Sequence, residues 1–550
     1  MKNYLVCFLL FTSSIISAQP VYQKTYGGPL QDYGYGIVST MDGGFAVIGH
    51  SNSFNPSNFD ALLIKLDANA NVQWSRLYGG AGVEEAMKLV QTSDGGYAIC
   101  GNTTSYGSGG KDALLIKADA GGNLEWIKTY GGLTNDGFLS IHETKDHGFI
   151  LGGSTTSFGQ GGADMLFVKT DSVGDTLWTK IIGGIDSDQG TDAEETIDGG
   201  YIFSGREISW GSGINDIFIM KTDDHGDSLW TKILGGTAWD EGMKVKQTTD
   251  GGYIVTGAST GFTNTSYDAY LNKIDSLGNL TWTKLYAGDH NDATYDVLQL
   301  HDGGYIITGE TESFGSNHLD IHPGTAHDAA ENGIHPVNNI LGTDHSNVIV
   351  IRTDANGDTV WSRAYGGNKM DEAYSLVQTA DSGFAILAFS IGLSNDSIDY
   401  YLIKTNKNGY SSCNEAPAPV VVITPPTVML TVNPQVISGI IVTTAVNISS
   451  VVTAGQHDIC FENTGINESD LPNEEMVMYP NPASAILYLS SFSKNGSVEI
   501  FNILGEKMNR YFVQHTGSLK EINISKFPQG VYTCRITEGE KITVKIFVKE

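Results

Sequence analysis

The chain has 550 residues, 40% of them hydrophobic, which is length enough for roughly two to four ordinary domains with a sizeable core. Its 62 Asp and Glu against 32 Lys and Arg leave a formal charge of −30, which excludes the basic face that nucleic-acid phosphates require. From Asn473 to Glu550 there are nine Lys/Arg and eight Asp/Glu, so the acidity belongs to the part before it and makes a self-repelling, soluble surface.

Residues 1–18 read as a secretory signal. Lys2 supplies the positive start, Leu5 to Phe11 with Ile15 and Ile16 the apolar core, and Ile16-Ser17-Ala18 a small-residue cleavage site. The apolar run is too short to span a bilayer, so no membrane span is expected after cleavage. Cys100, Cys413, Cys460 and Cys534 remain, and export permits disulfides.

Residues 19–410 are dominated by a repeat. The Asp of an Asp-Gly-Gly-(Tyr/Phe) turn stands at Asp42, Asp94, Asp146, Asp198, Asp250, Asp302 and Asp381, at steps of 52 and a last step of 79. Trp74, Trp126, Trp178, Trp230, Trp282 and Trp361 keep the same steps, and Tyr22 stands one step ahead of the first. Each repeat holds four strand-like pieces, in the second Ala86 to Thr92, Tyr97 to Asn102, Ala113 to Ala118 and Leu124 to Tyr130. Gly supplies the positive φ that the tight hairpin turns need. A four-stranded sheet cannot bury both faces alone, and radial stacking of such sheets makes a propeller. The chain starts on a fourth strand and ends the repeat on a third, Tyr400 to Lys404. Seven blades are therefore expected, with Val21 to Tyr26 completing the last one and protecting its edge. The tryptophans are expected to pack between blades.

The Asp-x-x-Gly-x-x-x-Trp run, clear in Asp171, Gly174 and Trp178, resembles the blade motif of quinoprotein-like propellers, which usually have eight blades. The Asp-Gly-Gly-Tyr and Trp-x-Lys-x-Tyr-Gly-Gly elements resemble exported β-propeller repeat proteins of the Bacteroidetes.

An insertion in blade six, at about 315–346, carries His318, His322, His327, His335 and His345 among several acids. Imidazoles beside carboxylates can bind zinc or a similar metal, so His318, His322 and His327 are candidate ligands of a divalent cation. The spacing is not that of a helical zinc motif, and a solvated polar loop is the competing reading. A second candidate is a ring of acids, one ahead of each first strand: Asp32, Glu84, Asp136, Asp188, Asp240, Asp292 and Asp371. These are either ligand-binding or hydrogen-bonded within a repeated turn. The insertion and the acids are expected on one face, where binding would sit.

Residues 411–472 form an uncharged β segment and linker. Ala416 to Gln456 contains no Asp, Glu, Lys or Arg and is rich in Val, Ile and Thr. Cys413 and Cys460 flank it, and a disulfide between them is one of the pairings that the count allows. From 473 onward the order Tyr479-Pro480-Asn481-Pro482, Val498 to Gly505, Phe527 to Tyr532 and a basic ending with Lys541, Lys545 and Lys549 resembles the type A sorting domain of type IX secretion. The resemblance implies an Ig-like β-sandwich, the type IX secretion machinery as partner of residues 473–550, and passage through the periplasm to the outer surface or beyond. The fold class expected is thus all-β: a seven-bladed propeller, a small β segment and a sorting domain.

No catalytic constellation stands out. Gly257-Ala258-Ser259-Thr260-Gly261 matches a nucleophile string but ends a strand instead of joining strand to helix. Asp354 to Asp358 reads as a hairpin turn instead of a calcium loop. No cofactor is called for beyond that possible cation. The function expected is a secreted or surface binding propeller for a glycan, protein or cation. The alternatives are a carbohydrate-active enzyme, which needs two carboxylates that depart from the repeat, and a quinoprotein-like oxidoreductase.

Overall fold

The computed structural model describes residues 20–550 except 212–213, 261–265, 316–345, 394–396, 426, 433–435, 438–440, 445–448, 453–454, 463–477, 480–485, 490–495, 503–506, 514–519, 529, 539–540 and 550. The secondary structure of the described residues is strand throughout, and no helix among them is long and apolar enough to cross a membrane. The chain divides into two units, 1–465 and 466–550.

The first unit holds seven antiparallel sheets, one per repeat. In blade two the strands run Glu84–Gln91, Tyr97–Thr103, Asp112–Ala118 and Leu124–Gly131. The first strands of successive blades touch one another in a closed circle, with Asp32–Ser39 against Asp371–Gln378, so they line a central channel. The N-terminal strand Val21–Gly27 pairs antiparallel with Ile398–Thr405, Tyr22 opposite Lys404 and Tyr26 opposite Tyr400, which closes the ring as the repeat count requires.

The repeat motifs are the joints between blades. Each tryptophan meets the aromatic that opens the second strand of the next blade: Trp74 lies 5.8 Å from Tyr97, and Trp178 lies 5.3 Å from Tyr201, edge-on. The hydroxyl of Tyr78 donates to the carbonyl of Gly122 in the next blade at 2.7 Å, and Tyr130 repeats this to Gly174 at 2.6 Å. Gly122 has φ +73°, and a side chain there would strike the Trp74 ring. In the Asp-Gly-Gly turn, Asp42 accepts from Thr40, from the Gly44 N–H and from the Lys65 ammonium of the third strand at 2.8 Å. Burial works against that carboxylate, but these donors hold it down at about 2.

The uncharged segment does not stand apart as its own small unit. It deals one strand to each blade. Glu415–Pro417 pairs with blade six, then Val421–Ile423, Val428–Thr431, Val436–Ile437, Ile441–Thr444 and Ser449–Val452 with blades five, four, three, two and one. Gly455–Glu462 ends the circuit on blade seven, against Val21–Gly27. Every blade is therefore five-stranded, and a belt covers all seven outer edges. Cys413 and Cys460, at its two ends, are joined by a disulfide with Cα atoms 6.1 Å apart. Gln23 of the N-terminal strand donates to Ser411 beside this junction.

The second unit consists of a three-stranded sheet, Met478–Tyr479, Ile486–Leu489 and Lys520–Asn523, and a four-stranded sheet built on Gly496–Asn502 and Gly530–Glu538. Among its described side chains, Val498, Ile500, Ile522, Ile524, Tyr532 and Cys534 are the buried hydrophobic ones.

Candidate functional site

The seven ring acids are no more than 3% exposed. Asp32 accepts the N–H of Gly28 at 2.8 Å and the hydroxyl of Ser53 at 2.7 Å. Glu84, Asp136, Asp188, Asp240 and Asp371 take the glycine N–H four residues earlier in the same way. Asp292 takes the hydroxyls of Thr311 and Ser313 instead. They are buried and tie the turn from one blade to the next through these hydrogen bonds.

Their neighbours explain the Tyr-Gly-Gly element. A second carboxylate from the third strand, such as Asp60 or Asp399, is buried beside each acid in six blades, with Asn347 in the sixth. A Cβ on Gly27 would lie 2.1 Å from Asp399 and 2.6 Å from Asp32, so the position needs glycine. Burial, then the neighbouring Asp32, pushes Asp399 up to about 7, and burial takes Asp371 to about 7.

His318, His322 and His327 lie outside the described residues. Among the described residues, Asp223, Asp224 and His225 form one group with metal-ligand spacing, on an exposed turn. Asp223 is already used there by the N–H groups of His225 and Asp227. Ser259 is buried at a strand end beside Asp240, and Asp354 caps a hairpin turn through the N–H groups of Asn356 and Asp358.

Among the described residues, the central channel is open to solvent. A funnel continuous with solvent is lined by residues of all seven first strands, among them Tyr35, Met87, Leu139, Thr191, Met243, Tyr295 and Tyr374. Asn291, Tyr267 and Glu312 place its mouth on the face of the loops joining fourth strands to first strands and second strands to third.

At this mouth the repeat breaks down. The position three residues after the ring acid is Tyr, Met, Leu, Thr, Met, Tyr and Tyr in the seven blades. The position next to the acid is Tyr33, Glu85, Gly137, Gln189, Glu241, Ala293 and Glu372. Near the end of the second strand stand His50, Asn102, Ser154, Arg206, Ala258, Glu310 and Phe389. One residue further on, the chain returns to a hydroxyl in six blades of seven, where Thr103 donates to Glu84 at 2.6 Å. The sequence reading missed these residues because it followed what repeats. Aligning the blades and marking the columns that vary would have found them.

The mouth is aromatic on one side. Tyr295 and Tyr374 stack at 4.8 Å, Tyr35 meets Tyr374 at 5.0 Å, and Tyr33 with Phe389 lies behind. Glu310 accepts the Tyr295 hydroxyl at 2.6 Å, and Glu372 accepts that of Tyr374 at 2.7 Å. Burial, and then Glu310, hold the Glu372 carboxyl well above its usual range. The floor is tied by lysines: Lys244 donates to Asp192 at 2.9 Å, and Lys88 reaches the carbonyl oxygens of Tyr374 at 2.5 Å and Tyr35 at 3.2 Å. Burial lowers Lys88 to about 8. His50, buried against Tyr33, Tyr35 and Phe59, is held neutral, its ring pushed down to about 4 by burial.

Residues 477–550 match the secretion system C-terminal sorting domain. The chain thus joins a seven-bladed β-propeller to a secretion sorting domain, which implies export to the cell surface or the extracellular space. The chain is similar to the regulatory protein FlaEY of Caulobacter vibrioides, 25% identical over 269 residues, a match that covers 42% of this chain and 28% of FlaEY. The chain therefore spans less than a third of that relative. Among solved structures it is similar to PorZ, an essential surface component of the type-IX secretion system of Porphyromonas gingivalis, at 9% identity over 96% of this chain and 100% of that one. The TM-score is 0.20, and a likeness at that level carries no argument.

Proposed function

We propose that this exported propeller is a binding protein whose ligand enters the channel mouth. The observation that carries the reading is internal to the chain. Seven copies of one blade keep their joints nearly unchanged and differ at the positions that line the funnel. Packing explains a repeated residue, whereas a position freed from the repeat in every blade has been given a separate task. The stacked tyrosines offer flat apolar faces, and the glutamates and Arg206 offer polar edges, the mixture that a polar organic ligand needs.

The carbohydrate-active alternative asked for two carboxylates that leave the repeat, and Glu310 and Glu372 do so. They act directly on each other, side by side, whereas the two carboxylates of glycoside hydrolysis stand apart on either side of the scissile bond. Binding is thus the better reading. The test is a screen of the full chain against glycan and peptide arrays, repeated with Tyr374→Ala and with the exposed-site control Leu133→Ala. A ligand lost with the first variant and kept with the second supports the channel. A ligand indifferent to Tyr374 places the binding surface elsewhere.

A further inference from the structure

Four carboxylates around the channel are each matched by a cation, while Asp296 is held by the N–H groups of Val297 and Leu376. Glu85 has Lys111 at 2.8 Å, Glu241 has Arg206 at 3.6 Å, Asp192 has Lys244 at 2.9 Å and Glu194 has Lys246 at 2.9 Å. Glu310 and Glu372 form no ion pair with any described residue. Their partners are the two tyrosine hydroxyls and each other. Glu310 lines the funnel, and Glu372, 6% exposed, lies behind it. This pair stands where the rings gather, since the hydroxyls that bind the two carboxylates belong to the stacked pair Tyr295 and Tyr374.

We infer that the mouth of the channel takes an organic cation, an ammonium or guanidinium group, seated against Tyr35, Tyr295 and Tyr374 and held by Glu310 with Glu372 behind it. This rests on the channel being the binding site and names the chemistry of its ligand. Aromatic faces attract a cation through the ring quadrupole, more strongly as water is excluded. A charge-assisted hydrogen bond to carboxylate fixes its direction. Both devices are present at one spot. A metal ion fits less well: no third acid or imidazole among the described residues joins these two within ligand distance, and Met87, Met243 and Ala293 line the space with carbon. An apolar stem ending in a charged head suits that lining. A basic side chain and a free amino terminus both present this head.

The experiment is calorimetric titration of the full chain with four probes: Nα-acetyl-arginine amide, Nα-acetyl-lysine amide, alanine amide for a free amino terminus, and Nα-acetyl-citrulline amide as the neutral isostere. At least one cationic probe is expected to bind tenfold or more tightly than citrulline. Glu310→Gln and, separately, Tyr35→Leu should each weaken that probe about tenfold, with the thermal transition of each variant checked against the parent. Lysine and arginine preferred over alanine amide identifies a side chain, and the reverse identifies an amino terminus. Equal binding of citrulline, no binding of any cationic probe, or arginine affinity unchanged in a folded Glu310→Gln chain overturns the inference. If the arrays yield a neutral ligand that depends on Tyr374, the cation assignment falls while the channel reading stands; if nothing depends on Tyr374, both fall.

Discussion

Breaking the Cys413–Cys460 bond opens a loop that encircles the blades. The two residues are 47 apart, and in the chain-entropy model a loop of that length is worth about 4 kcal/mol. A folded unit of about 440 residues has an unfolding entropy of roughly 0.9 kcal/mol/K, so reduction should lower the melting temperature by roughly 4 °C. The larger effect should be local. The last belt strand, Gly455–Glu462, pairs along the whole length of Val21–Gly27, and Cys460 anchors it there. Without the bond that strand frays first and leaves the N-terminal strand as an edge. Hydrogen exchange read by mass spectrometry on the oxidised chain and on the Cys413→Ala, Cys460→Ala double variant is the assay. Amides of 415–462 should exchange at least tenfold faster in the variant, those of the first strands much less so. Cys100 and Cys534 are buried, and burial pushes both thiols up to about 12, so neither should substitute in the bond. A double variant that melts within 1 °C of the parent (an instrument-scale threshold, about 1 kcal/mol here) and exchanges at the same rate would refute the hoop.

Three further outcomes follow from the same structure. Deleting residues 20–28 should unfold the ring or make it aggregate, because Ile398–Thr405 and Gly455–Glu462 both lose their partner; a monomeric deletion variant with an unchanged melt would refute this. The seam acids should make the propeller more stable at pH 5 than at pH 8.5. Asp240 is raised to about 6, chiefly by burial, and Asp371 and Asp399 to about 7, so their contribution is complete below the unfolded value near 4 and is lost as pH rises through 6 to 7. Asp42, Asp94 and Asp146 act oppositely, held at about 2, and lose their contribution only as pH falls through that value. Denaturant midpoints across pH 4 to 9 read the sign, and a midpoint that rises steadily to pH 9 contradicts it. Fusing residues 473–550 to a periplasmic reporter in a type IX-competent host should carry the reporter to the cell surface or medium; retention in the periplasm rejects the tail as sufficient.

The ring was legible because its joints repeat: Trp74 and its copies counted the blades, and Tyr22 one step ahead located the closing strand. The positions of the ring acids were equally legible, yet Asp32 and its copies turned out to be buried ties, since spacing does not report exposure. The belt was not legible. Val436–Ile437 is two residues long and pairs with Ile181 and Ile182, some 255 residues earlier, and no local pattern encodes such a partner. Glu310, Glu372 and Tyr374 escaped for the opposite reason, being individual in a chain whose signal is repetition.

The belt also orders events in time. Each of its strands needs an outer edge that an earlier part of the chain must already have built, and it visits those edges from blade six down to blade one before reaching blade seven. That tour returns the belt to its starting point, where Cys413 and Cys460 stand with Cα atoms 6.1 Å apart. The bond between them fastens the two ends of the belt to each other, so a strand that closes the ring at blade seven is tied covalently to the point where the belt leaves blade seven.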